Sequence, residues 1–162
     1  MSGSSQCVVL ALGNILHSDD GVGPHALRRL QTDPRLPPGV PLIEGGTLGL
    51  ELLADIWDAS YVLVLDAVDA GQPPGSVVRL SGDELHTLPG NSSVHQLGLA
   101  DLLVAIRALA RRPPEVVLLG VQPLTTGWGT ELSPPVEAVL GSLLDAVVVE
   151  LKSRLQAAPA SL

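Results

Sequence analysis

A three-layer α/β/α sandwich on a largely parallel sheet is the fold this sequence predicts. Three features predict it. Short β-rich runs alternate with stretches of helical period; the run Tyr61-Val62-Leu63-Val64-Leu65 is continuously apolar, as in a strand covered on both faces; and a long apolar stripe closes the chain.

The elements follow in order. Val8 to Leu12 is a first strand, and after a Gly-bounded loop Gly23 to Leu30 reads as a helix, with Asp19 and Asp20 placed as capping or first-turn acids. Leu42 to Glu44 is a second short strand punctuated by Gly45-Gly46-Thr47. Leu48, Leu52, Leu53 and Ile56 recur at helical spacing before the strand Tyr61 to Leu65, which completes a β-α-β-α-β series. Gly71-Gln72-Pro73-Pro74-Gly75 turns the chain into an edge strand, Ser76 to Leu80. Leu99, Leu102, Leu103, Ile106 and Leu109 then mark an amphipathic helix, Val116 to Val121 a buried strand, and Val136 through Leu151 the stripe of the closing helix.

Composition limits what such a domain does. The 162 residues suit one domain with its own core, spanning about residues 8–151. With no Phe, one Tyr and two Trp, that core is built from aliphatic side chains. A net charge of −8 disfavours a nucleic-acid backbone or an anionic membrane as partner. No apolar segment reaches the roughly 18 to 20 residues of a membrane span, and residues 1–6 lack a secretory pattern, so a cytoplasmic protein is expected. The lone Cys7, at the start of the first strand, reads as a half-buried apolar thiol.

Three groups stand where chemistry is expected. Asp20 follows the first strand by one loop, Asp66 ends the third, and His95 precedes a helix, so in a parallel sheet the two carboxylates reach the carboxyl rim where ligands gather. Two carboxylates and an imidazole form an O,O,N set suited to a borderline divalent transition metal. Gly13, Gly21 and Gly23 allow a tight first loop and a close backbone approach. Each residue also has a plainer reading: Asp20 as a helix cap, His95 as a structural histidine, His17, His25 and His86 as surface or loop groups, and Asp69 as part of a turn. A carboxylate ending a buried run, like Asp66, must be paired or hydrogen-bonded.

The ordered motifs say more. Gly13-Asn14-Ile15-Leu16 with Asp19-Asp20-Gly21-Val22-Gly23, then Glu44-Gly45-Gly46-Thr47, Leu65-Asp66-Ala67-Val68-Asp69-Ala70-Gly71, His95-Gln96-Leu97-Gly98-Leu99 and Gly120-Val121-Gln122-Pro123 together resemble the nickel-iron hydrogenase maturation endopeptidases. The resemblance runs from about Val8 to Leu151. It implies a five-stranded sandwich that removes a carboxyl-terminal extension from the nickel-loaded large-subunit precursor. The family's metal-contacting acid falls on Asp20, its strand-end aspartate on Asp66 and its loop histidine on His95; Glu44, Gly45, Gly46 and Thr47 fall on its substrate-recognition segment. Two positions depart from the pattern, because many members carry Glu at the place of Asp20 and Asp at the place of Glu44.

The resemblance further implies nickel delivered by the substrate, no organic cofactor and a free protein that is monomeric. No Gly-x-Ser-x-Gly elbow or His-Glu-x-x-His helix occurs, which disfavours serine and zincin proteases. Two other classes compete: a noncatalytic nickel-sensing adaptor with the same ligands, and a nucleotide-binding α/β protein. The second lacks Gly-x-Gly-x-x-Gly and a Walker lysine.

Overall fold

The computed structural model describes residues 6–46, 52–87 and 94–157, the side chains of 94–98 and 157 excepted. Five strands, β1 (Cys7–Leu12), β2 (Leu42–Gly46), β3 (Tyr61–Ala67), β4 (Val77–Ser81) and β5 (Glu115–Val121), form one sheet in the order β2-β1-β3-β5-β4. β1 pairs in parallel with β2 and β3, and β3 with β5; the edge strand β4 runs antiparallel to β5. Every residue of β1 and β3 is buried, as their unbroken apolar runs require of strands covered on both faces.

Helices α1 (Val22–Leu30) and α4 (Pro134–Ala157) cover one face, where Leu27, Leu30, Leu140 and Leu151 pack on Val9, Leu63 and Leu119. Helices α2 (Leu53–Ile56) and α3 (Val94–Leu109) cover the other, where Ile56, Leu102 and Ile106 pack on Leu10, Val64 and Leu118. Aliphatic alternation along each central strand feeds both cores. The predicted sandwich and the largely parallel sheet are both present.

Boundaries differ in instructive ways. β2 continues through Gly45 and Gly46, which the sequence reads as punctuation. A β-carbon at Gly45 would stand 2.7 Å from Leu52 Cδ1 and 2.9 Å from Leu12 Cδ2, so this glycine serves packing inside a strand. The helix expected to start near Leu48 is described only from Leu53, and Thr47 and Leu48 lie outside the described residues. Cys7 is buried at 5% exposure rather than half-buried, because both sheet faces are covered there. Among the described residues no helix is long and apolar enough to cross a membrane.

Candidate active site

Because β1, β3 and β5 are parallel, the segments that follow them emerge at one edge of the sheet. After β1 the chain turns at Gly13, whose φ of +127° belongs to glycine. There is also no room for a side chain: a β-carbon on Gly13 would stand 2.0 Å from the Asp20 carbonyl oxygen and 3.6 Å from Asp66 Oδ1. The Gly13 amide donates to the Gly46 carbonyl at 2.9 Å. One glycine thus joins the first loop, the end of β3 and the Glu44-Gly45-Gly46 segment.

Asp20 lies in a 3-10 turn, Ser18–Gly21, that leads into α1. It is 3% exposed, and its Oδ2 accepts the Asn14 amide at 3.0 Å. Its side chain therefore closes the loop on itself, and Gly21 rather than Asp20 occupies the position just before α1. Asp66 occupies the penultimate position of β3, opposite Gly120 of β5, at 2% exposure, and its Oδ1 accepts the Ala67 amide at 2.8 Å. Gly13 is thus flanked by the Asp20 backbone carbonyl and by Asp66 Oδ1, so the segments that carry the two acids meet at one edge of the sheet.

His95 sits in the first turn of α3 rather than in a loop before it, because that helix begins five residues ahead of the apolar stripe that revealed it. Its side chain is outside the described residues. The carboxyl end of α3 passes to β5 through residues 110–114, so that end of the helix lies at the edge of the sheet where β3 and β5 begin. Glu44 is exposed on β2, with its carboxylate 4.0 Å from the Arg28 guanidinium. Among the described residues no group of three or more His, Cys, Asp or Glu side chains gathers to hold a metal ion. The acids Asp20 and Asp66 supply oxygen donors of the kind a borderline divalent ion accepts.

Neighbouring residues hold this edge in shape. Asp19, expected as a helix-end acid, is fully buried and ties the β5–α4 loop to the first loop. Its Oδ1 accepts the Ser133 amide at 2.7 Å, and its Oδ2 accepts the Ser133 hydroxyl at 2.7 Å and the amides of Leu124 and Thr125 at 2.8 and 3.1 Å. Burial alone would raise its pKa; these hydrogen bonds outweigh burial and hold the carboxyl below the ordinary aspartate value. Ser18, at a left-handed φ of 52°, donates its amide to Gly129 O at 2.8 Å and its hydroxyl to Gly127 O at 3.0 Å. The strained backbone is thus locked by the same loop.

Gln122 organises the turn after β3. Its Oε1 accepts the Ala70 and Gln72 amides at 2.8 and 3.2 Å, and its Nε2 donates to Asp69 Oδ1 at 3.2 Å. Asp69 also accepts the Gly71 amide at 3.2 Å, which makes it the turn residue its sequence context suggests. The remaining histidines diverge. His86 is exposed, His25 is half-buried on α1, and His17 packs against the Trp128 ring at 4.5 Å between centroids. His17 is thus a loop group as expected, whereas His25 is neither surface nor loop, because it lies within α1 and is half-buried there.

Known proteins share this architecture and sequence. Residues 24–150 match the family described as HycI, hydrogenase maturation protease. The chain belongs to the hydrogenase maturation protease family. It is 36% identical over 147 residues to the hydrogenase 2 maturation protease of Escherichia coli K12, covering 90% of each chain. It is 35% identical to the hydrogenase expression/formation protein HupD of Bradyrhizobium diazoefficiens, covering 89% of this chain and 77% of that one. Among solved structures, the hydrogenase maturating endopeptidase HybD from E. coli aligns at a TM-score of 0.85 with 34% identity, over 92% of this chain and 93% of the other. The HybD protease of Thermococcus kodakarensis aligns at 0.74 with 29% identity, over 88% and 96%.

As a hydrogenase maturation protease, the chain is an endopeptidase on a five-stranded α/β fold. That assignment excludes the nucleotide-binding alternative. Peptide hydrolysis needs a base for water and a means of polarising the scissile carbonyl.

Proposed function

We propose that this protein removes the carboxyl-terminal extension of the nickel-loaded large-subunit precursor of a nickel-iron hydrogenase. The observation that carries the reading is the close approach of Gly13 to the Asp20 backbone carbonyl and to Asp66 Oδ1, which supports a meeting of the two acid-bearing motifs at the carboxyl edge of the sheet. Family membership supports the substrate class.

In this reading Asp20, Asp66 and His95 engage the nickel already carried by the precursor. Three donors leave coordination positions that precursor thiolates fill, so only a loaded substrate is fixed in a cleavable geometry. A carboxylate of the pair accepts the proton of the attacking water, which makes the chemistry aspartic-type. The C–N bond breaks as the departing amine takes a proton, leaving a new carboxyl terminus and a free peptide.

Glu44, Gly45, Gly46 and Thr47 contact the peptide around the cut. The enzyme works in the cytoplasm as a monomer, without an organic cofactor, a nucleic-acid partner or membrane insertion.

Incubation with matched nickel-loaded and nickel-free precursors tests this, with elemental analysis of the freshly purified enzyme alongside. The expected result is a discrete mass loss for loaded precursor alone, by an enzyme that carries little metal. Equal cutting of nickel-free precursor would make nickel irrelevant to recognition, and stoichiometric metal retained through chelation would make it a resident cofactor.

A further inference from the structure

The core has almost no aromatic side chains to spend, yet Trp57 is 45% exposed and the other tryptophan, Trp128, stands in water. Trp128 is 82% exposed, and on the same pair of loops Leu124 is 56% and Leu16 49% exposed. These loops are not loose. Gly129 pairs with His17 as an isolated parallel bridge, Gly129 N donates to Leu16 O at 2.9 Å, and Asp19 binds the Leu124 amide. The His17 ring supports Trp128 from one side, and His17 Nδ1 donates to the Thr126 carbonyl at 3.2 Å. Trp128 is therefore a large apolar surface held in place before any partner arrives, the arrangement that costs least entropy on binding.

We infer that Trp128, with Leu16 and Leu124, is a docking platform for an apolar stretch of the substrate protein beside its cleavage segment. The inference rests on the proposed function and extends it to how the precursor is held. Position names the occupant. The platform is built on the loop that carries Asp20, so a polypeptide entering the acid pair passes beside it. Chemistry agrees: in a chain of net charge −8, residues 13–18 and 122–130 contain no Asp, Glu, Lys or Arg. An uncharged rim on an acidic protein favours an apolar contact over a basic one.

The test compares wild type, Trp128→Ala and Trp128→Phe for the Kd of nickel-loaded precursor, cleavage kinetics and Tm. Light scattering gives the size of each enzyme at assay concentration. The expected result is a rise of roughly 10- to 100-fold in Kd and KM for Trp128→Ala, with kcat and Tm unchanged and substantial rescue by Phe. Unchanged Kd and KM in Trp128→Ala, with wild type cutting normally, would overturn the platform while leaving the proposed function intact. A wild-type dimer that Trp128→Ala dissolves would also overturn it, assigning the surface to a second copy. Failure of wild type to bind or cut loaded precursor would remove the proposed function and the platform with it.

Discussion

Asp19 grips Ser133 with both carboxylate oxygens, Oδ1 on the amide and Oδ2 on the hydroxyl, each at 2.7 Å. Ser133 lies immediately before α4, where a serine side chain ordinarily caps the helix; here the hydroxyl turns to Asp19 instead. The pairing fastens the amino end of α4 to the loop that carries Asp20.

Asp19→Asn should therefore destabilise the protein although the two side chains have nearly the same shape. A carboxylate accepts at both ends, whereas an amide must place a donor against donors from Ser133, Leu124 or Thr125. The expected loss is about 1–3 kcal/mol, read from urea denaturation, with a parallel fall in cleavage as the edge loosens. Unchanged stability would show that these hydrogen bonds do not hold the loop.

Two glycines should respond to alanine with opposite signs. Gly13→Ala drives a β-carbon into the Asp20 carbonyl and imposes a left-handed conformation on an L residue, at a cost of at least about 3 kcal/mol. At Gly141, inside α4, a β-carbon meets nothing within 4 Å. Gly141→Ala should raise stability by about 0.5–1 kcal/mol through helix propensity. Thermal melts of both variants check the pair.

Much of this was legible in the sequence because its cause is local. β1, β3 and β5 announce themselves as unbroken apolar runs, and Asp66 stands out as a charge at the end of one. β2 reads too short in the sequence because Gly45 looks like a breaker, and only the packed Leu12 and Leu52 side chains explain why it is a strand residue. The role of Asp19 is hidden because its partner is 114 positions away, and a sequence shows an acid before a helix without showing what it touches. His95 reads as a loop residue in the sequence because the first turn of α3 precedes its apolar stripe. The exposure of Trp128 had no local signal, since an aromatic residue in a sequence reads equally as core.

At the other end of the sheet, Glu150 of α4 sets a pH dependence. It accepts the Tyr61 hydroxyl at 2.9 Å and pairs with Arg79. Burial would raise its pKa, but the hydrogen bonds from Arg79 and Tyr61 prevail and hold the carboxyl below the ordinary glutamate value. A depressed folded-state pKa contributes stability above the unfolded value and loses it as pH falls through the folded one. Wild type should exceed Glu150→Gln by about 1–2 kcal/mol at neutral pH, and the gap should close as acid protonates Glu150. A gap that persists below the folded-state titration would assign the effect to packing.

Glu44 should control which precursor is cut. It is exposed and partnered by Arg28, so its removal leaves the core untouched. Glu44→Ala should lower kcat/KM for the matching precursor by roughly tenfold or blur its discrimination against others, with stability within about 0.5 kcal/mol of wild type. Loss of nickel from the complex, with peptide discrimination intact, would place Glu44 among the metal donors.

The central claim is that the acid pair at the sheet edge cleaves the precursor, and the mass spectrum of nickel-loaded precursor after incubation with wild type or Asp66→Asn tests it most directly. Wild type should release one carboxyl-terminal fragment, and Asp66→Asn, folded to the same melting temperature, should cut at least about a hundredfold more slowly. Cleavage by Asp66→Asn at the wild-type rate would contradict the account.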